Sequence, residues 1–402
     1  PDLTRNIKEK QQSSGGPITK DNTSVEYYGT LFAVAESPLE EGLIWAGSDD
    51  GLLHLTRDGG ENWTDVTPRG LPEEIQINGI DPHPTNPGGL YLAATAYKSA
   101  DFRPWLFRTT DYGRSWDRID DGIERDHFTR AIRADPEREG LLYAGTERGV
   151  YVSWNDGDDW APLQLDLPVV PITDLAVKEG ALVAATQGRG YWMLDHLAVV
   201  RQAAALDGDG PHLFAPAPAW RVHNDPAEAP GHAGTHPPVG VVFHYRLPET
   251  PAEDQAFALE IHDVDGALVR RFTRKPADED EAHDGFGDDD RQLPAAAGLN
   301  EFVWNLRYPS VERFEGLVLW NRNLDGPRAL PGRYDATLTL GEQTFEVPVT
   351  ILADPRSRTS AQELAAQFDF VWSANQKLTE THRAIRRLRE VRAQIDGVTE
   401  RV

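Results

Sequence analysis

The sequence contains no cysteine, one methionine and only seven lysines among its 402 residues. The absence of cysteine excludes disulfide bonds, thiolate zinc sites and a cysteine nucleophile. No run of apolar residues approaches the ~18 that a membrane-spanning helix requires, so no membrane span is expected. At roughly 100–200 residues per domain, the length predicts about two to four domains.

Positive charge is also scarce. The sequence has 40 basic and 65 acidic residues, which gives a formal net charge of −25. Such a surface repels phosphate groups, so we expect neither a nucleic acid nor an anionic membrane as partner. The excess of arginine over lysine is a feature of the protein's solubility and does not indicate what substrate it binds.

Residues 31–197 repeat a pattern of short apolar strands. In each unit, a strand ends in a small residue, a polar loop follows, and a second apolar strand begins. The equivalent small residues are Gly47, Ala94, Gly145 and Ala185, which lie 47, 51 and 40 residues apart. Short strands at this period, with no helical pattern between them, predict propeller blades of four antiparallel strands.

A turn motif with the pattern Ser/Thr-x-Asp-x-Gly-x-x-Trp occurs in three of the units, at residues 56–63, 109–116 and 153–160. The Asp or Asn can accept backbone N–H groups across the turn, and the Gly can adopt a positive φ. The Trp can pack between blades. These side chains are therefore predicted to be structural, and a catalytic carboxylate pair is the weaker interpretation. The predicted structural residues are Asp58, Trp63, Asp111, Trp116, Asn155 and Trp160.

The motif resembles the Asp-box of BNR-repeat β-propellers, a group that includes sialidases, xyloglucanase-type glycoside hydrolases and the sortilin ectodomain. The resemblance covers about the first 200 residues. It implies that the boxes are structural turns away from the ligand-binding face. The arginine triad and tyrosine nucleophile of sialidases have no recognisable counterparts here.

The resemblance also implies an incomplete propeller. BNR propellers typically have six or more blades, and the fourth unit lacks a box and ends in Asp195-His196, as a last blade would. We therefore expect the missing blades to precede Pro1, and we expect residues 1–30 to be a crossing segment or linker before the blades at 31–200.

The second half changes character. Residues 201–237 are rich in Pro, Ala and His and predict a linker. A zinc site at His212, His223, His232 and His236 is the weaker alternative, because these residues lack metal-ligand spacing. Alternating strands across 238–355 predict an immunoglobulin- or fibronectin-like β-sandwich. Its acidic stretch 278–290 is predicted to be a solvated insertion rather than a cation site.

The tail, residues 356–402, is predicted to be helical. Ser360 and Glu363 form a capping box at its start. A recurring apolar stripe is expected to pack on the helix's own domain or on a sister helix, with a binding arm for an acidic partner as the alternative. The stripe consists of Leu364, Phe368, Val371, Leu378, Ile385 and Leu388.

Together these observations predict an all-β fold of β-propeller blades followed by a β-sandwich and a C-terminal α-helix. In antiparallel blades the boxes lie at one end, and the loops between second and third strands lie at the other, where binding is expected. Pairing of the charged loop residues across blades is the alternative role. The predicted ligand-binding residues are Tyr97, Arg103, Trp105, Arg148 and Arg189.

The sequence shows no catalytic constellation, metal motif or nucleotide loop, so catalytic residues stay unassigned and no cofactor is expected. The first hypothesis is a propeller that binds a glycan, a peptide or a protein partner. The second is a glycoside hydrolase whose active site is shared with the missing blades. Such enzymes need two carboxylates about 5–5.5 or 6.5–9.5 Å apart, and spacing alone selects no such pair in this sequence. The family resemblance implies an extracellular or periplasmic location.

Overall fold

The structure is a computed structural model that describes residues 1–10, 28–206, 208–222, 237–274, 292–319 and 324–400. The chain divides into two compact units, Pro1–Leu197 and Ala198–Val402. Each unit has its own hydrophobic core, and the two are described in turn.

The first unit consists of four antiparallel sheets in chain order, which confirms the predicted propeller blades. The first strands of consecutive blades lie beside one another, as in a radial arrangement. Blade 1 comprises β1 (Leu31–Glu36), β2 (Ile44–Ser48), β3 (Leu53–Thr56) and β4 (Thr64–Asp65). Blade 2 comprises β5 (Gln76–Pro82), β6 (Leu90–Ala96), β7 (Asp101–Thr109) and β8 (Asp117–Arg118). Blade 3 comprises β9 (Thr129–Ala134), β10 (Leu142–Thr146), β11 (Val150–Ser153) and β12 (Ala161–Pro162).

Blade 4 differs from the expected four strands. It has three in the described chain: β13 (Ile172–Lys178), β14 (Ala181–Thr186) and β15 (Tyr191–Leu194). No box turn follows β15, and the chain continues into the helix α1 (Leu197–Ala203) instead of reversing into a fourth strand. Two short 3-10 helices, Lys8–Lys10 and Tyr97–Ser99, complete the elements of this unit.

The first strand of every blade carries one extra residue relative to the second strand, at an equivalent place near its start. Such a bulge turns the extra side chain away from the regular alternation of the sheet. Because the first strands are neighbours, the bulged residues occupy equivalent positions in successive blades. They are Phe32, Asn78, Arg130 and Thr173.

The second unit contains a β-sandwich, as predicted. One sheet has the order β16-β18-β21, and the other has the order β17-β23-β22-β19-β20. Both sheets contribute to one core that includes Phe243, Tyr245, Trp304 and Leu338. The strands are β16 (His212–Leu213), β17 (Ala219–Arg221), β18 (Val241–Leu247), β19 (Phe257–Asp263), β20 (Leu268–Thr273), β21 (Gly298–Trp304), β22 (Gly332–Leu340) and β23 (Gln343–Ala353).

Part of the predicted linker belongs to this sandwich. β16 pairs with β18, and β17 runs parallel to β23, so residues 212–213 and 219–221 form edge strands. Burial of Leu213 and Ala219 in the core accounts for the pairing. His212 packs edge-on against Phe214 at 4.8 Å between ring centroids. His223, His232, His236 and the acidic stretch 278–290 lie outside the described residues.

Helix α2 (Ala361–Thr399) begins at the predicted capping box: Ser360 accepts the Glu363 N–H, and the Glu363 carboxylate accepts the Ser360 N–H. The predicted packing stripe is correct only in part: Phe368 packs on Tyr308, with ring centroids 4.9 Å apart, whereas Leu378 and Leu388 are exposed. The buried residues are instead Asn375, Thr379 and His382.

These three polar side chains face backbone groups of Glu312 and Asp325. Asn375 donates to the Asp325 carbonyl at 3.0 Å, and His382 Nδ1 lies 2.6 Å from the Glu312 carbonyl oxygen. Irregular backbone needs hydrogen-bond partners that an apolar stripe cannot supply, which explains the choice of face. No helix in the described part of the chain is both long and apolar enough to cross a membrane.

Candidate functional site

Backbone hydrogen bonds define two ends of the blades. Each motif turn is tied to the loop between the first and second strands, as in the bond from Gly59 N to Gly42 O at 3.0 Å. At the opposite end, the loop between second and third strands is tied to the entry of the first strand, as in the bond from Glu147 N to Phe128 O at 3.0 Å. We call these ends the box face and the loop face.

The three motif copies on the box face form the same hydrogen-bonded turn. Asp58 Oδ1 accepts the Asn62 N–H at 2.9 Å and the Thr56 hydroxyl at 2.7 Å. Asp111 accepts the equivalent Ser115 N–H at 2.9 Å. The Asn155 amide oxygen accepts the equivalent Asp159 N–H at 3.0 Å. These bonds lower the pKa of Asp58 to about 2, so its carboxylate stays ionised and stabilises its own turn.

The three motif tryptophans differ in the hydrogen-bond acceptor of their indole N–H group. Trp116 Nε1 donates to Val66 O at 2.9 Å, and Trp160 Nε1 donates to Ile119 O at 2.6 Å. Each acceptor lies three residues after the tryptophan of the preceding blade, so these indoles join neighbouring blades. Trp63 Nε1 donates to Gly60 O of its own turn at 3.1 Å.

On the loop face, an aromatic cluster links blades 2 and 3. The Tyr97 ring stacks on Phe128, with centroids 5.1 Å apart, and Phe102 lies 6.2 Å from Phe128. The Arg130 guanidinium lies 5.5 Å from the Tyr97 centroid and 5.1 Å from that of Phe128. Phe128 is buried, whereas Phe102 is 49% exposed and offers an aromatic face to solvent.

Arg130 is the bulged residue of β9, and Glu147 from the β10–β11 loop holds it. The Glu147 carboxylate accepts from Arg130 Nε at 2.9 Å and lies 2.7 Å from Nη2. The pair is partly buried and electrically balanced. Polar groups fixed beside an exposed aromatic ring are typical of a ligand site. We refer to Tyr97, Phe102, Phe128, Arg130 and Glu147 as the loop-face cluster.

The structure separates the other predicted ligand-binding residues from Tyr97. Arg103 forms an ion pair with Asp101 at 2.7 Å, and its guanidinium lies 4.9 Å from the Trp105 ring. Arg118 lies 4.1 Å from the same ring. Trp105 is only 4% exposed, so its indole is a packing element between two guanidinium groups.

Arg148 and Arg189 occupy other parts of the loop face. Arg148 Nη2 lies 3.3 Å from Asp126 Oδ2, in the segment that precedes β9. The Arg189 backbone N–H donates to the Thr186 hydroxyl at 3.1 Å, and its carbonyl accepts the Trp192 indole N–H at 3.2 Å. Both arginine residues are exposed.

An acidic pair at the blade 1 end of the loop face holds neighbouring backbone. Asp49 Oδ1 accepts the N–H groups of Gly29 and Thr30 at 3.1 and 2.8 Å. Burial raises the pKa of the Asp49 carboxyl. The fully buried Asp50 accepts the Arg5 N–H at 2.7 Å and the Ser48 hydroxyl at 2.6 Å. Both carboxylates are thus engaged in fixing residues 5–6 and 29–30 to blade 1.

Sequence reasoning missed Arg130 and Phe128. Their positions depend on the β9 bulge, and a one-residue bulge leaves no periodic trace in six residues. A weak signal was the basic residue Arg130 near the start of β9, directly before the apolar pair Ala131 and Ile132. Within the described ranges, no group of three metal-ligating side chains converges.

Comparisons with known proteins give distant similarities in sequence and in structure. No family model matches the chain. It is 28% identical over 106 residues to an oligoxyloglucan-reducing end-specific xyloglucanase of Emericella nidulans. It is 29% identical over 107 residues to a probable enzyme of the same name from Neosartorya fischeri. The match covers 26% of this chain and 13% of each relative's length.

Among solved structures, YCF48 bound to D1 peptide is 20% identical, with a TM-score of 0.32 over 41% of this chain and 51% of that one. The GH74 enzyme of Niastella koreensis is 15% identical, with a TM-score of 0.33 over 41% of this chain and 28% of that one. The observed blades define a β-propeller fold, and about a quarter of the chain is distantly similar in sequence to the two xyloglucanases.

Proposed function

We propose that the first unit is a binding propeller whose loop face takes a neutral oligosaccharide. The observation that carries this proposal is the loop-face cluster. Phe102 and Tyr97 offer ring surface for the apolar face of a sugar, and Arg130 and Glu147 offer hydrogen-bond donors and acceptors. Because the charges of Arg130 and Glu147 balance, the cluster suits a ligand without net charge.

The related proteins favour a glycan over a peptide as ligand. Both curated relatives are named for action on oligoxyloglucan, a chain of neutral sugars. Of the residues predicted from sequence, Tyr97 is retained as a direct contact. We propose Arg103, Arg148 and Arg189 as contacts along an extended ligand. The role proposed for Trp105 is to pack against the Arg103 guanidinium.

Isothermal titration of the chain with xyloglucan oligosaccharides tests this function. Phe102→Ala and Tyr97→Ala should each weaken binding by about tenfold or more, since stacked aromatic contacts dominate such sites. Asp111→Ala on the box face is the control and should bind like the parent. Equal binding by all three variants would contradict the assignment.

The second candidate is a glycoside hydrolase, favoured by the names of the same relatives. Such an enzyme needs two carboxylates placed for acid and nucleophile or base. On the described loop face, Asp49 and Asp50 hold backbone, and Glu147 holds Arg130. The required carboxylates would therefore come from further blades. Release of reducing sugar by this chain combined with such blades, and none by this chain alone, would favour the hydrolase.

We also propose that the three motif turns are Asp-boxes of the BNR type and that a further blade lies beside blade 1. In blades 2 and 3 the motif tryptophan reaches the preceding blade, whereas Trp63 bonds to its own turn. The β1 residues Phe32 and Val34 are exposed, as an unfilled blade interface would be. Since a polysaccharide ligand lies outside the cytoplasm, we propose an extracellular or periplasmic location.

A further inference from the structure

A second polar group, on blade 2, lies beside the loop-face cluster. Asn78 is the bulged residue of β5 and occupies the position that Arg130 occupies in β9. The two bulges are in contact, because a Cβ on Gly79 would lie 3.4 Å from the Arg130 carbonyl oxygen. Asn78 is half-buried, so part of it stays open to solvent. A ligand that binds at Arg130 therefore has Asn78 as a neighbour.

Hydrogen bonds join Asn78 to the loop that carries Tyr97. Lys98 Nζ donates to Gln76 Oε1 at 3.0 Å, and Gln76 Nε2 donates to Asn78 Oδ1 at 2.8 Å. Lys98 directly follows Tyr97 in the short 3-10 helix Tyr97–Ser99. We call Lys98, Gln76 and Asn78 the amide relay. It connects the two sides of the loop-face cluster.

The chemistry of lysine fixes the direction of the amide relay. An ammonium group donates hydrogen bonds and cannot accept them, so the oxygen of Gln76 must face Lys98 and its NH2 group must face Asn78. Asn78 consequently turns its oxygen inward and its NH2 group away from the relay. Among the described residues, neither this NH2 group nor the Lys98 ammonium has a further hydrogen-bond partner. The open end of the relay thus presents donors only.

The charges around the amide relay are offset. Lys98 favours the ionised form of the nearby Asp49 carboxyl and counteracts the burial that raises the pKa of this group. Arg130 is paired with Glu147 at 2.7 Å. Because each cation has an acidic neighbour, the donors of the relay suit uncharged oxygen atoms rather than an anion.

The loop between β6 and β7 lacks a hydrogen bond that the other three blades form. At the end of the second strand, the hydroxyl groups of Ser48, Thr146 and Thr186 donate to carbonyl oxygens of their own loops at 3.2, 2.9 and 2.7 Å. The equivalent Thr95 is 2% exposed, and its hydroxyl has no partner in the described structure. An unpaired buried hydroxyl costs stability, and such exceptions concentrate at functional sites. The loop with this exception is the one that carries Lys98.

We propose that the amide relay is a second sugar subsite of the loop face and binds oxygen atoms of the sugar next to the one at the loop-face cluster. This inference rests on the proposed function and adds the direction in which the ligand continues. The ring oxygen and the glycosidic oxygen of a sugar only accept hydrogen bonds, so a donor-only edge suits them. Asn78 and Lys98 are then specificity residues, and Gln76 is a positioning residue that orients both.

Titration calorimetry with xyloglucan oligosaccharides tests the subsite. Asn78→Ala and Lys98→Met should each weaken binding about tenfold, because each removes a donor from a partly desolvated site. Matched controls on the box face are Asn62→Ala, an exposed asparagine of the first motif turn, and Lys178→Met, an exposed lysine at the end of β13. Both controls should bind like the parent.

Gln76→Glu tests the direction of the amide relay. The new carboxylate can pair with Lys98 but cannot donate to Asn78, so Asn78 should turn its NH2 group inward and present its oxygen to the ligand. Binding should therefore weaken about tenfold although both specificity residues are intact. The melting temperature should not fall, because the carboxylate pairs with an ammonium group. A purely structural role of Gln76 would not separate these two measurements.

Three outcomes would overturn the inference. Parent-like binding by Asn78→Ala and Gln76→Glu, with binding by Phe102→Ala impaired, would refute the subsite and leave the proposed function in place. An equal loss of affinity in Asn62→Ala or Lys178→Met would also refute the subsite. A parent that binds no xyloglucan oligosaccharide would refute the proposed function and the subsite together.

Discussion

Replacement of Trp160 by alanine tests how the blades hold together. Trp160 is 5% exposed, and its indole donates to Ile119 O at 2.6 Å. The adjoining Gly157 leaves room for Ile119, because a Cβ there would lie 2.7 Å from the Ile119 side chain. Truncation removes a buried aromatic ring and leaves an unpaired carbonyl, so we expect a loss of about 3–5 kcal/mol in the free energy of unfolding.

Trp63→Ala provides the comparison within the same motif. Trp63 is half-buried and bonds only to its own turn, so the loss should be about 1 kcal/mol. Trp116→Ala should fall between the two, because Trp116 reaches Val66 but is half-buried. Equilibrium urea unfolding followed by circular dichroism measures all three. Equal losses for Trp63 and Trp160 would refute the account of the tryptophans as links between blades.

Three further predictions concern charged groups. Burial raises the pKa of Asp81 from 3.8 to about 6, so the folded state binds this proton more tightly than the unfolded state does. The melting temperature should therefore fall as the pH rises from about 4 through 6, and Asp81→Asn should make that fall smaller. Hydrogen bonds lower the pKa of Asp58 to about 2, so the stability that its carboxylate contributes should be lost as the pH falls from about 4 towards 2. In urea titrations, the free energy of unfolding of Asp58→Asn should not show this loss at acid pH. Glu147→Gln removes the charge that balances Arg130, so the variant should bind an acidic oligosaccharide that the parent rejects, as measured by titration calorimetry.

Much of the first unit could be predicted because its signals are local. The box residues act within eight positions, through turns that their own side chains stabilise, so Asp58, Asp111 and Asn155 behave as expected. The alternation of the sandwich strands is equally local, since one face of each strand enters the core.

Features that depend on tertiary context could not be predicted. The packed face of α2 was predicted correctly at Phe368 but not beyond it, because its other partners include the backbone carbonyls of Glu312 and Asp325, whose hydrogen-bonding needs leave no trace in the helix sequence. Arg130 and Phe128 were missed because a bulge sets their direction. Trp63 follows the same motif as Trp116, but its indole bonds to its own turn and that of Trp116 bonds to the preceding blade, a difference that the motif residues do not encode.

The most direct test of the proposed function is a crystal structure of this chain soaked with a xyloglucan oligosaccharide. The account predicts sugar density over Phe102 and Tyr97, with hydroxyl groups within hydrogen-bond distance of Arg130 and Glu147. Density on the box face near Asp58 or Asp111, with the loop-face cluster empty, would contradict it.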